Sequence, residues 1–143
     1  MTPPLEELLD QVRLLWHIMA QAAERLHQGE SITLGMRGVL EYLARKGPTA
    51  VPGIARGRQV TRQHIQALVN DLLELRLVSL TDNPAHRRSA LVRLTPEGQK
   101  AIDRMIRRER QLFQRLELGC GPADLQQAAA TLGTVRAALG GRS

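Results

Sequence analysis

The chain has 143 residues and a formal net charge of +6, from 20 Lys or Arg against 14 Asp or Glu, and its sequence pI is near 10.9. That length fits one domain with a real core, although domains of this size often gain further stability by pairing. A single cysteine, Cys120, excludes an internal disulfide framework and a cysteine-rich zinc site, and no run approaches the roughly 18 apolar residues of a membrane span.

The N-terminus MTPPLEELLDQ has no charged region followed by an apolar one, so an unexported, cytoplasmic protein is expected. Beyond Pro4, the residues Leu5, Leu8, Leu9, Val12, Leu15, Trp16, Met19, Ala22, Ala23 and Leu26 keep one apolar stripe, which predicts a long amphipathic first helix ending near Gly29. Thr33 is placed to cap a second helix with Met36, Val39, Leu40 and Leu43 on its inner face, closed by Gly47-Pro48. Residues 49 to 59, TAVPGIARGRQ, are too rich in glycine and proline for a long helix. One or two turns packing Val51, Ile54 and Ala55 are expected there.

Val60-Thr61 then reads as a turn, with Thr61 capping a helix to about Leu75. Ile65, Leu68, Val69 and Leu72 recur at helical spacing, while Gln63, Ala67 and Asn70 fall on the opposite side. A short helix, a tight turn and a longer helix make a helix-turn-helix. Leu77 to Leu80 and Ala90 to Leu94 are strand-like, and Asp82-Asn83-Pro84 between them is turn chemistry, so a β-hairpin with a basic tip should follow. Thr95-Pro96-Glu97 opens another helix, extended to Leu118 by Ile102, Met105, Ile106, Leu112, Phe113 and Leu116 and broken by Gly119-Cys120-Gly121-Pro122. A last helix runs from about Ala123 to Leu139, and the tail Gly140 to Ser143 is expected to fray.

The charge is unevenly placed. Residues 56 to 115 hold thirteen Arg or Lys against six Asp or Glu. Such clustering favours a polyanionic partner, because neutralised phosphates release condensed counterions. The three aromatics, Trp16, Tyr42 and Phe113, all lie outside the reader helix and hairpin, whereas single-strand binders stack bases on several rings, so duplex DNA is favoured over RNA.

The order of elements, with the run NPAHRRSALVRLTPEG, strongly resembles the MarR family of winged helix-turn-helix transcriptional regulators. The likeness covers nearly the whole chain. Arg88 matches the family's wing arginine, and Leu94-Thr95-Pro96-Glu97-Gly98 matches the LTxxG that follows. The resemblance implies a mainly α fold in one MarR-like domain spanning residues 1–143. Residues of about 33–94 would form the winged helix-turn-helix core with its short β-hairpin wing, and about 5–28 and 95–139 the dimerisation helices. It further implies a homodimer on a pseudo-palindromic operator, commonly acting as a repressor, and in many members released by a small aromatic or phenolic effector. The chain departs from the family at His86, where an aspartate usually helps hold the arginine. Either Asp82 takes that role across the turn, or Arg88 is less fixed here.

Thr61, Arg62, Gln63, His64, Gln66 and Asn70 occupy the exposed side of the reader helix. Its first turns are the part that meets base edges when such a helix enters a major groove. Arginine pairs with guanine and glutamine with adenine; the alternative is an ordinary solvated face. Arg87 and Arg88 sit at the hairpin tip, where an arginine can enter a narrow minor groove or merely guard a strand edge. Arg56 and Arg58 are phosphate candidates by position. Arg104, Arg107, Arg108, Arg110 and Arg115 form a further stripe that is expected to be mostly solvated.

Trp16 and His17 could hold an aromatic acid or phenol, although Trp16 also falls in the apolar stripe and so fits core or dimer packing. Cys120 is expected to be structural or incidental in preference to a redox switch. The histidines His17, His27, His64 and His86 lack close ligand spacing, so no metal or cofactor is expected. No GxSxG, GxxxxGK[ST] or GxGxxG motif supports an enzyme. Two further rivals are a winged-helix protein adaptor, which should have an acidic or apolar reader face, and a non-specific architectural DNA-binding protein.

Overall fold

A computed structural model of the chain describes residues 2–140; of the tail expected to fray, Gly141 to Ser143 lie outside the described residues and Gly140 ends the last helix. The elements in order are α1 (Pro3–Leu26), α2 (Leu34–Lys46), β1 (Thr49–Ala50), α3 (Val51–Arg58), α4 (Arg62–Glu74), β2 (Val78–Thr81), β3 (Leu91–Leu94), α5 (Pro96–Gln114) and α6 (Pro122–Gly140). By backbone proximity the chain divides into two compact units, Met1–Glu109 and Arg110–Ser143.

The first unit holds the core. Thr33 caps α2 through Oγ1, which accepts from the Met36 N–H at 3.2 Å, and Met36, Val39, Leu40 and Leu43 are buried as their spacing predicts. Ile54 and Ala55 of α3, Ile65, Val69 and Leu72 of α4, Val78, Val92 and Ile102 complete one apolar cluster. The expected short helix at residues 49 to 59 forms as α3, and Gln59 closes it in the left-handed conformation at φ 56°.

Two boundaries differ from expectation. Thr49-Ala50 add a short strand to β3, giving an antiparallel sheet in the order β1-β3-β2 with Thr49 opposite Val92 and Ser79 opposite Arg93. The helix expected to reach Leu118 stops at Gln114: the Arg115 N–H bonds back to Leu112 and the Leu116 N–H to Phe113, three residues back, which tightens and ends it. In the second unit, Pro122 opens α6 and the Asp124 carboxylate accepts from the Gly121 N–H at 2.9 Å. Cys120, before α6, is exposed, so it fills no core site.

Hairpin and α5 are locked together by the LTPEG run. Thr95 Oγ1 donates to the Arg76 carbonyl at 2.7 Å and accepts from the Gly98 N–H at 3.0 Å, while the Thr95 N–H donates to the Leu77 carbonyl at 3.1 Å. A Cβ at Gly98 would lie 1.9 Å from that Leu77 oxygen. The glycine is what lets α5 start this close to the residue that leads into β2.

Candidate nucleic-acid interface

Thr61 starts the reader helix by the same chemistry that starts α2: its Oγ1 accepts from the His64 N–H at 3.1 Å. Because Ile65, Val69 and Leu72 point fully into the core, Arg62, Gln63, Gln66 and Asn70 are turned outward and are exposed. Gln66 Nε2 donates to Asn70 Oδ1 at 2.9 Å, one turn on. That bond orients the Gln66 amide and uses one of Asn70's acceptor positions. His64 is exposed as well.

The wing tip is shaped by its own backbone. Asn83 Oδ1 accepts from the Ala85 N–H at 3.1 Å, the His86 N–H bonds to the Asn83 carbonyl, and the Ser89 N–H bonds to the His86 carbonyl, both at 3.2 Å. Of the two alternatives for Arg88, the geometry favours the looser one. Among the described residues it makes no ion pair, and Asp82 lines a concavity with Arg87 instead.

Between helix and wing lies a cleft of about 350 Å³. Arg62, Gln63 and Gln66 form the α4 side, Arg88, Ser89 and Ala90, just before β3, the wing side, and Val51, Pro52 and Leu80 its apolar lining. Two sequence-distant parts expected to touch DNA therefore converge on one concave surface with guanidinium groups from both.

The sequence profile of the MarR family matches residues 37–89, which run from α2 through the helix-turn-helix to the wing. An uncharacterised protein of Mycobacterium tuberculosis is similar at 31% identity over 126 residues, 88% of this chain and 87% of that protein. The crystal structure of a MarR family transcription regulator superposes with a TM-score of 0.75 at 26% identity, covering 98% of this chain and 95% of the other. The chain belongs to the MarR family. Bordetella bronchiseptica BpsR, whose DNA binding is regulated by 6-hydroxynicotinic acid, shares the fold with a TM-score of 0.77 at 20% identity, over 88% of this chain and 90% of BpsR. The fold is thus the winged helix of MarR-family regulators, mostly helical with a small antiparallel sheet.

In this MarR-family chain the other basic candidates divide by their partners. Arg58 donates to the Gly38 carbonyl at 3.2 Å, so one of its donors is spent on α2, whereas Arg56 is simply exposed. On α5, Arg104 donates to Glu30 Oε1 at 3.0 Å and Arg108 lies 3.6 Å from the same oxygen. These pairs tie the stripe partly to the loop before α2, while Arg107, Arg110 and Arg115 are exposed.

Trp16 and His17 sit on the exposed surface of α1 and do not line a second cavity of the first unit, about 590 Å³ between the end of α1, the start of α2 and Met105. The imidazole at that cavity is His27. It is buried, and its Nε2 lies 3.1 Å from Glu109 Oε1, while its Nδ1 is buried without a partner. Arg37 holds both oxygens of Glu109 through Nε and Nη2 and pairs with Glu41 through Nη1. Burial pushes the Glu109 carboxyl up, but the hydrogen bonds and charge of Arg37, with a smaller contribution from His27, hold it below the usual carboxylate range. No local pattern in the sequence announces this cluster, because its members lie 72 and 82 residues apart.

Proposed function

We propose that this chain is a homodimeric transcriptional repressor that reads a pseudo-palindromic duplex operator in the cytoplasm and releases it on binding a hydroxylated aromatic effector. The observation that carries the proposal is the convergence of Arg62, Gln63, Gln66 and Arg88 on one cleft. With α4 in the major groove, the two glutamines and Arg62 meet base edges, and Arg88 on the wing meets the adjacent minor groove. Arg56, Arg87 and the remaining donors of Arg58 take phosphates, which supply affinity without choosing sequence. The protein acts by binding and not by catalysis.

Dimerisation is supported by what α1 leaves uncovered. Across its 24 residues no side chain is buried, and Val12, Leu15, Trp16 and Met19 present an exposed apolar face at i, i+3, i+4 and i+7. In the second unit α6 likewise buries no side chain and exposes Leu125 and Leu132. A second copy covers such faces, and Trp16 then belongs to the dimer interface. The effector reading rests on the cavity at His27. With Nε2–H turned to the Glu109 carboxylate, Nδ1 is a buried acceptor lacking a donor, and a phenolic hydroxyl supplies one. Apolar walls from Ala20, Ala23, Ile32 and Met105 suit an aromatic ring.

Sedimentation and gel mobility test the proposal together. The wild type should sediment as a dimer and retard a duplex pool at physiological salt, and the double variant Leu15→Glu/Met19→Glu should be a folded monomer with greatly weakened retardation. A wild-type monomer, or a monomeric variant that binds as tightly as the wild type, would refute the dimeric reader.

A further inference from the structure

The lining of the reader–wing cleft is not what a purely polar recognition surface would have. In β2, Val78 and Leu80 lie two residues apart and therefore share a face of the sheet. Val78 is buried, and Val92, the cross-strand partner of Leu80, is fully buried, yet Leu80 itself is 52% exposed. The core face of the hairpin thus runs out from under the helices and opens into the cleft, where Pro52 and Val51 at the start of α3 extend the same apolar surface. Arg62 stands on one side of this surface and Arg88 on the other. Among the described residues neither makes an ion pair.

We infer that this cleft seats one sugar–phosphate strand of the DNA, with Leu80 and Pro52 packed against deoxyribose, and that the contact excludes a 2′-hydroxyl. The inference rests on the proposed DNA-reading function and deepens it. The major and minor grooves of a duplex are separated by a single backbone strand, so a protein with α4 in one groove and the wing in the next must pass that strand between them. With Arg62 reaching into the major groove on one side and Arg88 into the minor groove on the other, the strand lies between two positive groups, and the apolar surface matches the carbon side of the sugar. A ribose packed there would bring a hydroxyl against the Leu80 and Pro52 side chains, which offer it neither donor nor acceptor, and the 2′-hydroxyl is the group by which proteins tell RNA from DNA. Leu80 is therefore a specificity residue for sugar identity, not for base sequence.

The test is a ribonucleotide walk. A duplex recovered by the wild-type protein from a randomised pool is remade with one ribonucleotide at each position in turn, and binding is read by fluorescence anisotropy. Affinity should fall about tenfold at one or two adjacent positions per half-site, the scale set by a desolvated hydroxyl without a partner. A 2′-fluoro nucleotide, which keeps the ribose-like pucker but has no hydroxyl hydrogen, should cost about twofold or less there. Leu80→Ser, at an exposed position and carrying its own hydroxyl, should bring the ribo/deoxy ratio at those positions below about twofold.

Equal losses at every position, fluorine as damaging as hydroxyl, or an unchanged ratio in Leu80→Ser would each overturn the inference while leaving DNA reading intact. Failure of the wild type to retain any duplex would overturn the DNA-reading function itself.

Discussion

Replacing Gly98 by alanine probes the joint that holds the wing in place. The added Cβ would lie 1.9 Å from the Leu77 carbonyl oxygen and 2.9 Å from its carbon, both backbone atoms that no rotamer change can move aside. To reach even 3.0 Å from the oxygen, the start of α5 must retreat by about 1.1 Å. That shift also stretches the 3.1 Å bond from the Thr95 N–H to the same oxygen. Overpacking of this kind costs about 3 kcal/mol, the damaged hydrogen bond adds about 1 kcal/mol, and alanine's better helix propensity offsets about 1 kcal/mol. The net loss of about 3 kcal/mol corresponds to a fall in Tm of about 10 °C for a chain of this size. Gly119→Ala is the control: nothing lies within 4 Å of its added Cβ and its φ is not in the left-handed region, so a change within about 0.5 kcal/mol is expected. Thermal unfolding followed by far-UV circular dichroism compares the two. Equal Tm values for Gly98→Ala and Gly119→Ala would refute the close approach of α5 to the hairpin.

Three further outcomes follow from the site. Arg62→Ala should relax the preference at one base pair of each half-site by about 1–3 kcal/mol; equal loss on every sequence, measured over a panel of single-base operator variants, would make it a phosphate contact. Arg88→Ala should weaken binding and reduce the preference for A·T-rich flanks, because the minor groove reports its width more than its bases; unchanged affinity and flank preference in the same panel would remove the wing from the mechanism. Glu109, with its pKa held below the usual carboxylate range, contributes stability that is present above the unfolded value of about 4.3 and is lost as pH falls through the folded one. In urea unfolding, Glu109→Gln should therefore be less stable at pH 7 by about 1–3 kcal/mol, as Arg37 and His27 lose their carboxylate. The stability gap to the wild type should narrow at pH 3; a gap that is the same at both pH values would contradict the ion cluster.

Where a helix buries one face against the core, its residues were legible in advance. Met36, Val39, Leu40 and Leu43, and Ile65, Val69 and Leu72, lie inward because a 3.6-residue period leaves them no other place. Thr33 and Thr61 announced the caps for an equally local reason. β1 was not legible, since two residues carry no alternation and Thr49-Ala50 acquire strand character only by pairing with Leu91 and Val92. The end of α5 was overrun because Leu116 and Leu118 continue the apolar pattern past the point where the chain tightens at Arg115. In the site, the reader residues and Arg88 could be named from motif order, but not the apolar surface beneath them: alternation assigns Leu80 to the core face without saying that the core ends before it. The pairing of His27 with Glu109 is not legible in the sequence, because it depends on tertiary packing, to which helical periodicity is blind.

The most direct measurement of the central claim is selection of bound duplexes from a randomised DNA pool by the purified protein near physiological salt, followed by sequencing. An inverted repeat with half-site centres about one helical turn apart is the predicted result, since two-fold symmetry in the protein imposes it on the site. Weak, steeply salt-dependent binding with no enriched sequence would leave only the phosphate contribution and contradict the sequence-reading account.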